Sequence, residues 1–212
     1  MSILKEIDPN EWHIVVVSPQ NYFLFTPLLP SATVGTLEPR SLVEPIRKLM
    51  TRAGAHFIEA KADDVDMSHK LVLVSQPDAQ GNPQQFYLPY DKLVISVGSN
   101  TNTHGVDGLE HAHFLKSIVD ARAIRNHIMD NFELACLPTT TDEERRRLLS
   151  FVVAGGGPTG VEFASELFDM LQEDLTPYVP PWRKQAKIVP HYPEESSLST
   201  YHPISIPYSQ HI

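Results

Sequence analysis

The stretch that most limits how this chain can fold is Gly155-Gly156-Gly157-Pro158-Thr159-Gly160, a G-x-G-x-x-G spacing. Before it runs the β-branched segment Leu149-Ser150-Phe151-Val152-Val153-Ala154. After it Val161, Ala164, Leu167, Phe168 and Leu171 recur on one side of a helix. The glycine spacing alone is a weak signal, but a strand, a glycine turn and a helix in that order predict the βα unit that holds a dinucleotide pyrophosphate. Gly155 permits the tight turn, Gly157 keeps a β-carbon away from the pyrophosphate, and Gly160 lets the helix approach the strand. The free amides and dipole of the helix N-terminus favour the anion.

A mononucleotide loop would end in Gly-Lys-Ser/Thr, and Gly160-Val161-Glu162 has no lysine, which disfavours ATP or GTP hydrolysis. Glu162 has two readings: a carboxylate in the first helical turn gaining from the dipole, or a group beside a nicotinamide. The net charge of -9 argues against nucleic acid, whose binding needs clustered Lys and Arg. No run reaches the about 18 apolar residues of a membrane-spanning helix. The first residues have neither a signal core nor the acid-poor character of a transit peptide. The lone Cys136 forms no internal disulfide and reads as a partly buried helix residue.

Upstream, His13 to Ser18 predicts a strand buried on both faces and broken by Pro19-Gln20-Asn21. Tyr22 to Pro30 is apolar, but its prolines argue against a regular helix or central strand. Residues 41–50 have helical spacing, His56 to Ala60 reads as a strand, and Leu71 to Ser75 with Phe86 to Leu88 suggest a hairpin. Tyr90 to Gly98 predicts another buried strand, its glycine at the carboxyl end where open α/β sheets place ligands. Ile124, Ile128 and Phe132 mark a helix over roughly 117–136. Thr141 and Glu144 have capping-box spacing before Arg145-Arg146-Arg147, a run read as a solvated face. His104, His111 and His113 share a loop with no fourth ligand of evident spacing, so no metal site is expected.

The segments Asn21-Tyr22-Phe23-Leu24-Phe25-Thr26-Pro27-Leu28-Leu29-Pro30-Ser31, Val34-Gly35-Thr36, Glu143 to Ser150 and Gly155 to Glu162, in that order, resemble the fungal and plant type II NADH dehydrogenases. These are single-chain, rotenone-insensitive NADH:ubiquinone oxidoreductases of mitochondria, and the resemblance runs from about residue 3 to residue 175. It implies an α/β flavoprotein reductase with two dinucleotide-binding, Rossmann-like domains. In such an enzyme NADH passes a hydride to FAD, and electrons go on to ubiquinone without proton pumping. It further implies peripheral association with the mitochondrial inner membrane and allows a homodimer. Carried over by position, Ser18 and Pro19 lie near the adenosine ribose of FAD. Thr26, Pro27 and Leu28 approach the flavin, and Val97 and Gly98 line FAD. Gly155 to Gly160 hold the NADH pyrophosphate, and Glu162 sits close to the nicotinamide and flavin rings. The apolar run Phe25 to Pro30 suits a dry flavin wall, and core packing accounts for it as well.

A disulfide-reducing flavoprotein is disfavoured, since residues 19–35 contain no cysteine. Both domains are expected to be incomplete: a partial FAD domain over 1–110 without its first strand and glycine turn, and the start of an NADH domain over 111–175. A disordered tail outside the family pattern is expected over 176–212. That tail has seven prolines and no glycine, and reads as a retained intron or shifted frame, which sequencing the transcript across Leu175 and Thr176 tests. The acid about 20 positions after the glycines, which grips the adenine ribose, has no counterpart, because Pro190 and His191 follow the strand candidate Ala186 to Val189. The expectation is therefore poor solubility, no bound flavin and no activity of this chain alone. The alternative is a non-catalytic nucleotide-binding remnant.

Overall fold

The computed structural model describes residues 6–8, 10–101, 108–175 and 186–191. In chain order these form β1 (Val15–Ser18), β2 (Tyr22–Leu24), a 3-10 turn (Thr26–Leu28), α1 (Leu29–Val34), a second 3-10 turn (Pro39–Leu42), β3 (Val43–Pro45) and α2 (Ile46–Arg52). Next come β4 (His56–Glu59), β5 (Lys61–Asp66), β6 (Leu71–Pro77), β7 (Pro83–Pro89), a 3-10 turn (Leu109–His111) and α3 (Ile118–Cys136). The chain continues through α4 (Asp142–Leu148), β8 (Ser150–Ala154), α5 (Pro158–Asp169), a π turn (Met170–Asp174) and β9 (Lys187–His191).

Two compact units divide the chain, one from Met1–Thr26 with Glu38–His113, the other from Pro27–Leu37 with Phe114–Ile212. The chain crosses between them at 26/27, 37/38 and 113/114. The eleven-residue segment at 27–37 changes sides, because five residues of α1, Leu29, Pro30, Ala32, Thr33 and Val34, are buried, and α1 packs on α3 and α5.

In the first unit β1 and β4 pair in parallel, Val15 opposite His56 through Ser18 opposite Glu59. β2 and β3 pair antiparallel, and β5, β6 and β7 form an antiparallel sheet whose hairpin runs from Leu71 opposite Pro89 to Pro77 opposite Pro83. Its core is Ala60, Val72 and Val74, with Val17, Ile58, Val65, Leu88 and Tyr90 packed around them. The predicted hairpin and the strands at 13–18 and 56–60 are all present, although β1 leaves Val15 exposed. The helix expected over 41–50 starts at Ile46, since Pro45 with its extended backbone serves as N-cap. The strand expected over Tyr90–Gly98 does not form. Val94 is 71% and Val97 86% exposed, and no described strand pairs with this segment, so the extended preference of its β-branched residues has no ladder to join.

In the second unit β8 and β9 pair in parallel, Ser150 opposite Lys187 through Ala154 opposite His191. Residues 187–191 of the expected disordered tail are therefore a strand: the apolar residues of Ala186-Lys187-Ile188-Val189 continue the sheet, and Ala186 and Ile188 pack on the core. The rest of that tail lies outside the described residues. Ile124, Ile128 and Phe132 of α3 join Leu148, Leu149, Leu167, Met170 and Leu171 in one core, where Phe132 stacks on Phe151 at 6.1 Å. On α5, Phe163 packs on this core while Val161 and Phe168 are exposed, so the buried face is rotated from the expected one.

Helix starts follow the side chains that cap them. Ser117 accepts from the Asp120 amide and Asp120 from the Ser117 amide, a reciprocal box that opens α3. Thr141 accepts from the Glu144 amide at α4. Pro30 is tolerated because it sits in the first turn of α1, where its missing N–H costs no helical bond. Two expectations need correction. Arg145 does not belong to a solvated face, since its guanidinium donates to the carbonyls of Ala135 and Thr140 at the end of α3. Cys136 is exposed.

Candidate functional site

The glycine turn comes from the second unit, where β8 delivers the chain into Gly155 with φ +112, a conformation that L side chains avoid. Gly157 is the N-cap of α5 with ordinary extended angles (φ -73, ψ 168), followed by Pro158 at the first helical position. A β-carbon at Gly160 would overlap the Gly155 carbonyl oxygen, so glycine here sets the close approach of α5 to the turn. A β-carbon at Gly157 would meet nothing within 4 Å. Neither backbone strain nor packing among the described residues therefore requires glycine at 157. No side chain caps α5, which leaves its first amides to an anion. The turn thus fits an anion such as a pyrophosphate, and Gly156, Pro158 and Thr159 lie within it between β8 and the body of α5.

Glu162 is exposed and is the fifth residue of α5, in its second turn. The first-turn dipole explanation weakens accordingly, because the effect falls off within one turn. The neighbouring strand β9 places Pro190 opposite Val153 and His191 opposite Ala154, so the residues at its carboxyl end are those two and not an acid.

The first unit has its own constellation. A cavity of about 380 Å³ opens beyond the carboxyl ends of the parallel pair β1 and β4, lined among others by Pro19, Glu59, Ala60, Lys61, Ser75 and Gln76. Glu59 accepts from the Asn21 amide group at 3.3 Å and stands 3.8 Å from Arg47. Lys61 pairs with Asp63 at 2.9 Å, and the Ser75 hydroxyl and then Lys61 hold the Asp63 carboxyl below its ordinary range. Pro19 was singled out from sequence and lines this cavity, next to Ser18, whose hydroxyl accepts from the Gln20 amide. Sequence reasoning missed Glu59, Ala60 and Lys61, although a strand parallel to β1 brings its own carboxyl end to the same place.

The remaining expected residues are distributed. Thr26 belongs to the first unit, Pro27 and Leu28 to the second, and all three lie on one 3-10 turn. Val97 is exposed, and Gly98 has φ +73 with nothing within 4 Å of a β-carbon. Neither lines the cavity. His104 lies outside the described residues, and among those residues no three His, Cys, Asp or Glu side chains gather as metal ligands. No described helix is long and apolar enough to cross a membrane.

Known proteins share this arrangement. The family model for pyridine nucleotide-disulphide oxidoreductases matches residues 1–180. The chain is 44% identical over 209 residues to the mitochondrial external alternative NAD(P)H-ubiquinone oxidoreductase B1 of Arabidopsis thaliana, covering 95% of this chain and 36% of that protein. It is 43% identical over 192 residues to the mitochondrial external NADH-ubiquinone oxidoreductase 2 of Saccharomyces cerevisiae, covering 89% of this chain and 35% of that one. The structure of NDH2 from Plasmodium falciparum in complex with NADH superposes with a TM-score of 0.80 at 34% identity, over 88% of this chain and 38% of that one. The chain thus spans about 36% of the length of the relatives it matches. With its glycine turn, its two units and this match over most of its length, the chain belongs to the pyridine nucleotide-disulphide oxidoreductase family and is similar within it to the mitochondrial alternative NAD(P)H-ubiquinone oxidoreductases.

Proposed function

We propose that the chain carries dinucleotide-binding elements of an FAD-dependent NADH:ubiquinone oxidoreductase that does not pump protons. The observation that carries this reading is the glycine at 157, which neither its backbone angles nor its neighbours require. Gly155 to Gly160 hold the NADH pyrophosphate against the amides of α5. Glu162 is the carboxylate beside the nicotinamide, where it opposes the positive charge that develops on the ring as hydride leaves. On the flavin side, Ser18 and Pro19 border the adenosine of FAD at the β1–β4 cavity, the 3-10 turn Thr26–Leu28 carries residues that approach the flavin, and Val97 and Gly98 line FAD. Bound FAD supplies the hydride acceptor and electron store between NADH and ubiquinone. A lipid-soluble acceptor requires access to a bilayer, which supports a peripheral place on the mitochondrial inner membrane, with a homodimer as the assembly this reading allows.

A second reading, a nucleotide-binding chain without catalysis, draws on the Pro190–His191 end of β9, where a ribose-gripping acid is expected. One experiment separates the two. The 212-residue chain is titrated with NADH by nicotinamide fluorescence, then mixed with FAD and a soluble ubiquinone analogue while NADH oxidation is followed. Gly157→Val should weaken NADH binding by at least about tenfold, the scale of one or two lost hydrogen bonds to a charged group, with unchanged circular dichroism. Equal affinity of the variant sinks the reading of the turn, and binding without oxidation favours the second reading.

A further inference from the structure

The segment Val34-Gly35-Thr36 takes no part in the function proposed above, yet it is held from several sides. Gly35 ends α1 with φ +96, and a β-carbon there would overlap the guanidinium of Arg125 from α3. On the two sides of Gly35, the Ser31 hydroxyl donates to Glu166 Oε1 at 2.6 Å and the Thr36 hydroxyl donates to Glu166 Oε2 at 3.0 Å. One carboxylate on α5 thus takes one hydroxyl per oxygen and spans the end of α1, while the amides of Gly35 and Leu37 both donate to the Ser31 carbonyl. Glu166 follows Glu162 by four residues, so the two carboxylates occupy the same flank of α5 one turn apart. The residues leading into α1 are Pro27 and Leu28, in the same unit as the glycine turn. α1 has only six residues and no side-chain cap at its start, so its placement rests on apolar burial and on this carboxylate. Burial alone is non-directional and leaves a short helix free to slide, whereas two charge-assisted hydrogen bonds to fixed atoms set a register.

We propose that Glu166 is a positioning residue, a latch that fixes the Ser31–Thr36 turn to α5 and thereby sets where Pro27 and Leu28 stand relative to Glu162 and the dinucleotide turn. The role assigned to Pro27 and Leu28 rests on the proposed function; the latch itself rests on the two hydroxyl contacts. Glu166 does not touch the dinucleotide turn, so its loss moves the flavin-side segment without removing NADH binding.

The test is amide hydrogen exchange by mass spectrometry on the 212-residue chain, with and without NADH. Glu166→Ala, and independently the pair Ser31→Ala with Thr36→Val, should speed exchange at Gly35 and Leu37 by about tenfold. Exchange in α3 and in the β6–β7 hairpin should stay as in the parent. The hydroxyl-keeping pair Ser31→Thr with Thr36→Ser should restore slow exchange, which a volume or folding effect would not do. NADH should protect residues 155–162 in the parent and in Glu166→Ala alike. Unchanged exchange at 33–37 in both disruptive variants, or fast exchange throughout the second unit, overturns the latch. Lack of NADH protection in the parent overturns the proposed function and leaves the latch to be judged on exchange at 33–37 alone.

Discussion

Two segments carry nearly the same sequence pattern and meet different fates. Leu93-Val94-Ile95-Ser96-Val97-Gly98 and Ser150-Phe151-Val152-Val153-Ala154-Gly155 are both β-branched runs that end at a glycine of positive φ, +73 at Gly98 and +112 at Gly155. The second is strand β8, hydrogen-bonded to β9, with Phe151 stacked on Phe132. The first forms no strand, and its valines point to solvent. A β-branched run favours extended backbone, but a strand exists only where a neighbour takes its amides and carbonyls and a layer covers its side chains. β8 has both: a partner strand, and a core built from α3, α4 and α5.

The sharpest way to break this comparison is to remove the cover. Phe132→Ala, deleting a side chain 4% exposed beneath β8, should cost about 4 kcal/mol, read by denaturant unfolding. Exchange protection should fall in the second unit and hold in the β5–β7 sheet, and a uniform loss across both would mean that β8 does not depend on local cover. Next in size is Gly160→Ala. Its methyl overlaps the Gly155 carbonyl, so a loss of about 3 kcal/mol is expected in the same assay, and a neutral result would show that the turn relaxes freely.

On the other side of the comparison, Val94→Ser should change stability by no more than about 0.5 kcal/mol, because the side chain is already 71% exposed. A cost above about 2 kcal/mol would mean that this segment is covered in solution and that its strand pattern is realised there.

The smallest effect is a pH dependence at the tip of the β6–β7 hairpin. Asp78 accepts from the backbone amides of Asn82 and Gln80, and the Asn82 bond above all holds its carboxyl below the ordinary aspartate range. A lowered folded-state pKa means that the contribution is complete above the unfolded value and is lost as pH falls through the folded one. The amides of Gln80 and Asn82 should therefore exchange faster only on strong acidification, and Asp78→Asn should weaken that dependence. Faster exchange on raising the pH toward neutrality, beyond the intrinsic base catalysis, would contradict the sign.

Much of the second unit is legible in the sequence. The order of strand, glycine turn and helix placed Gly155, Gly157 and Gly160; Gly155 answers a demand of backbone angle and Gly160 one of clearance, each local enough to be read along the chain, whereas nothing in the turn itself demands glycine at 157. The face of α3 was legible for the same reason, since Ile124, Ile128 and Phe132 repeat at the helical period. The rotated face of α5 was not. Val161 and Phe163 both suit an apolar stripe, and which one is buried depends on the angle at which Gly160 seats the helix.

Pairing across long separations was beyond the sequence alone. It showed Ser31 and Thr36 as two hydroxyls beside a glycine, and Glu166 as one carboxylate on a helix; only the fold joined them across 135 and 130 residues. The same holds for Glu59, Ala60 and Lys61 beside Pro19, which the parallel register of β1 and β4 brings to one cavity. Local steric and capping rules act over a few residues and can be read along the chain. Burial, sheet partnership and the assembly of a site are properties of neighbours that the chain brings together only once it has folded, which is why Val152, itself 67% exposed, lies in a strand through its pairing with Val189 and Val97 does not.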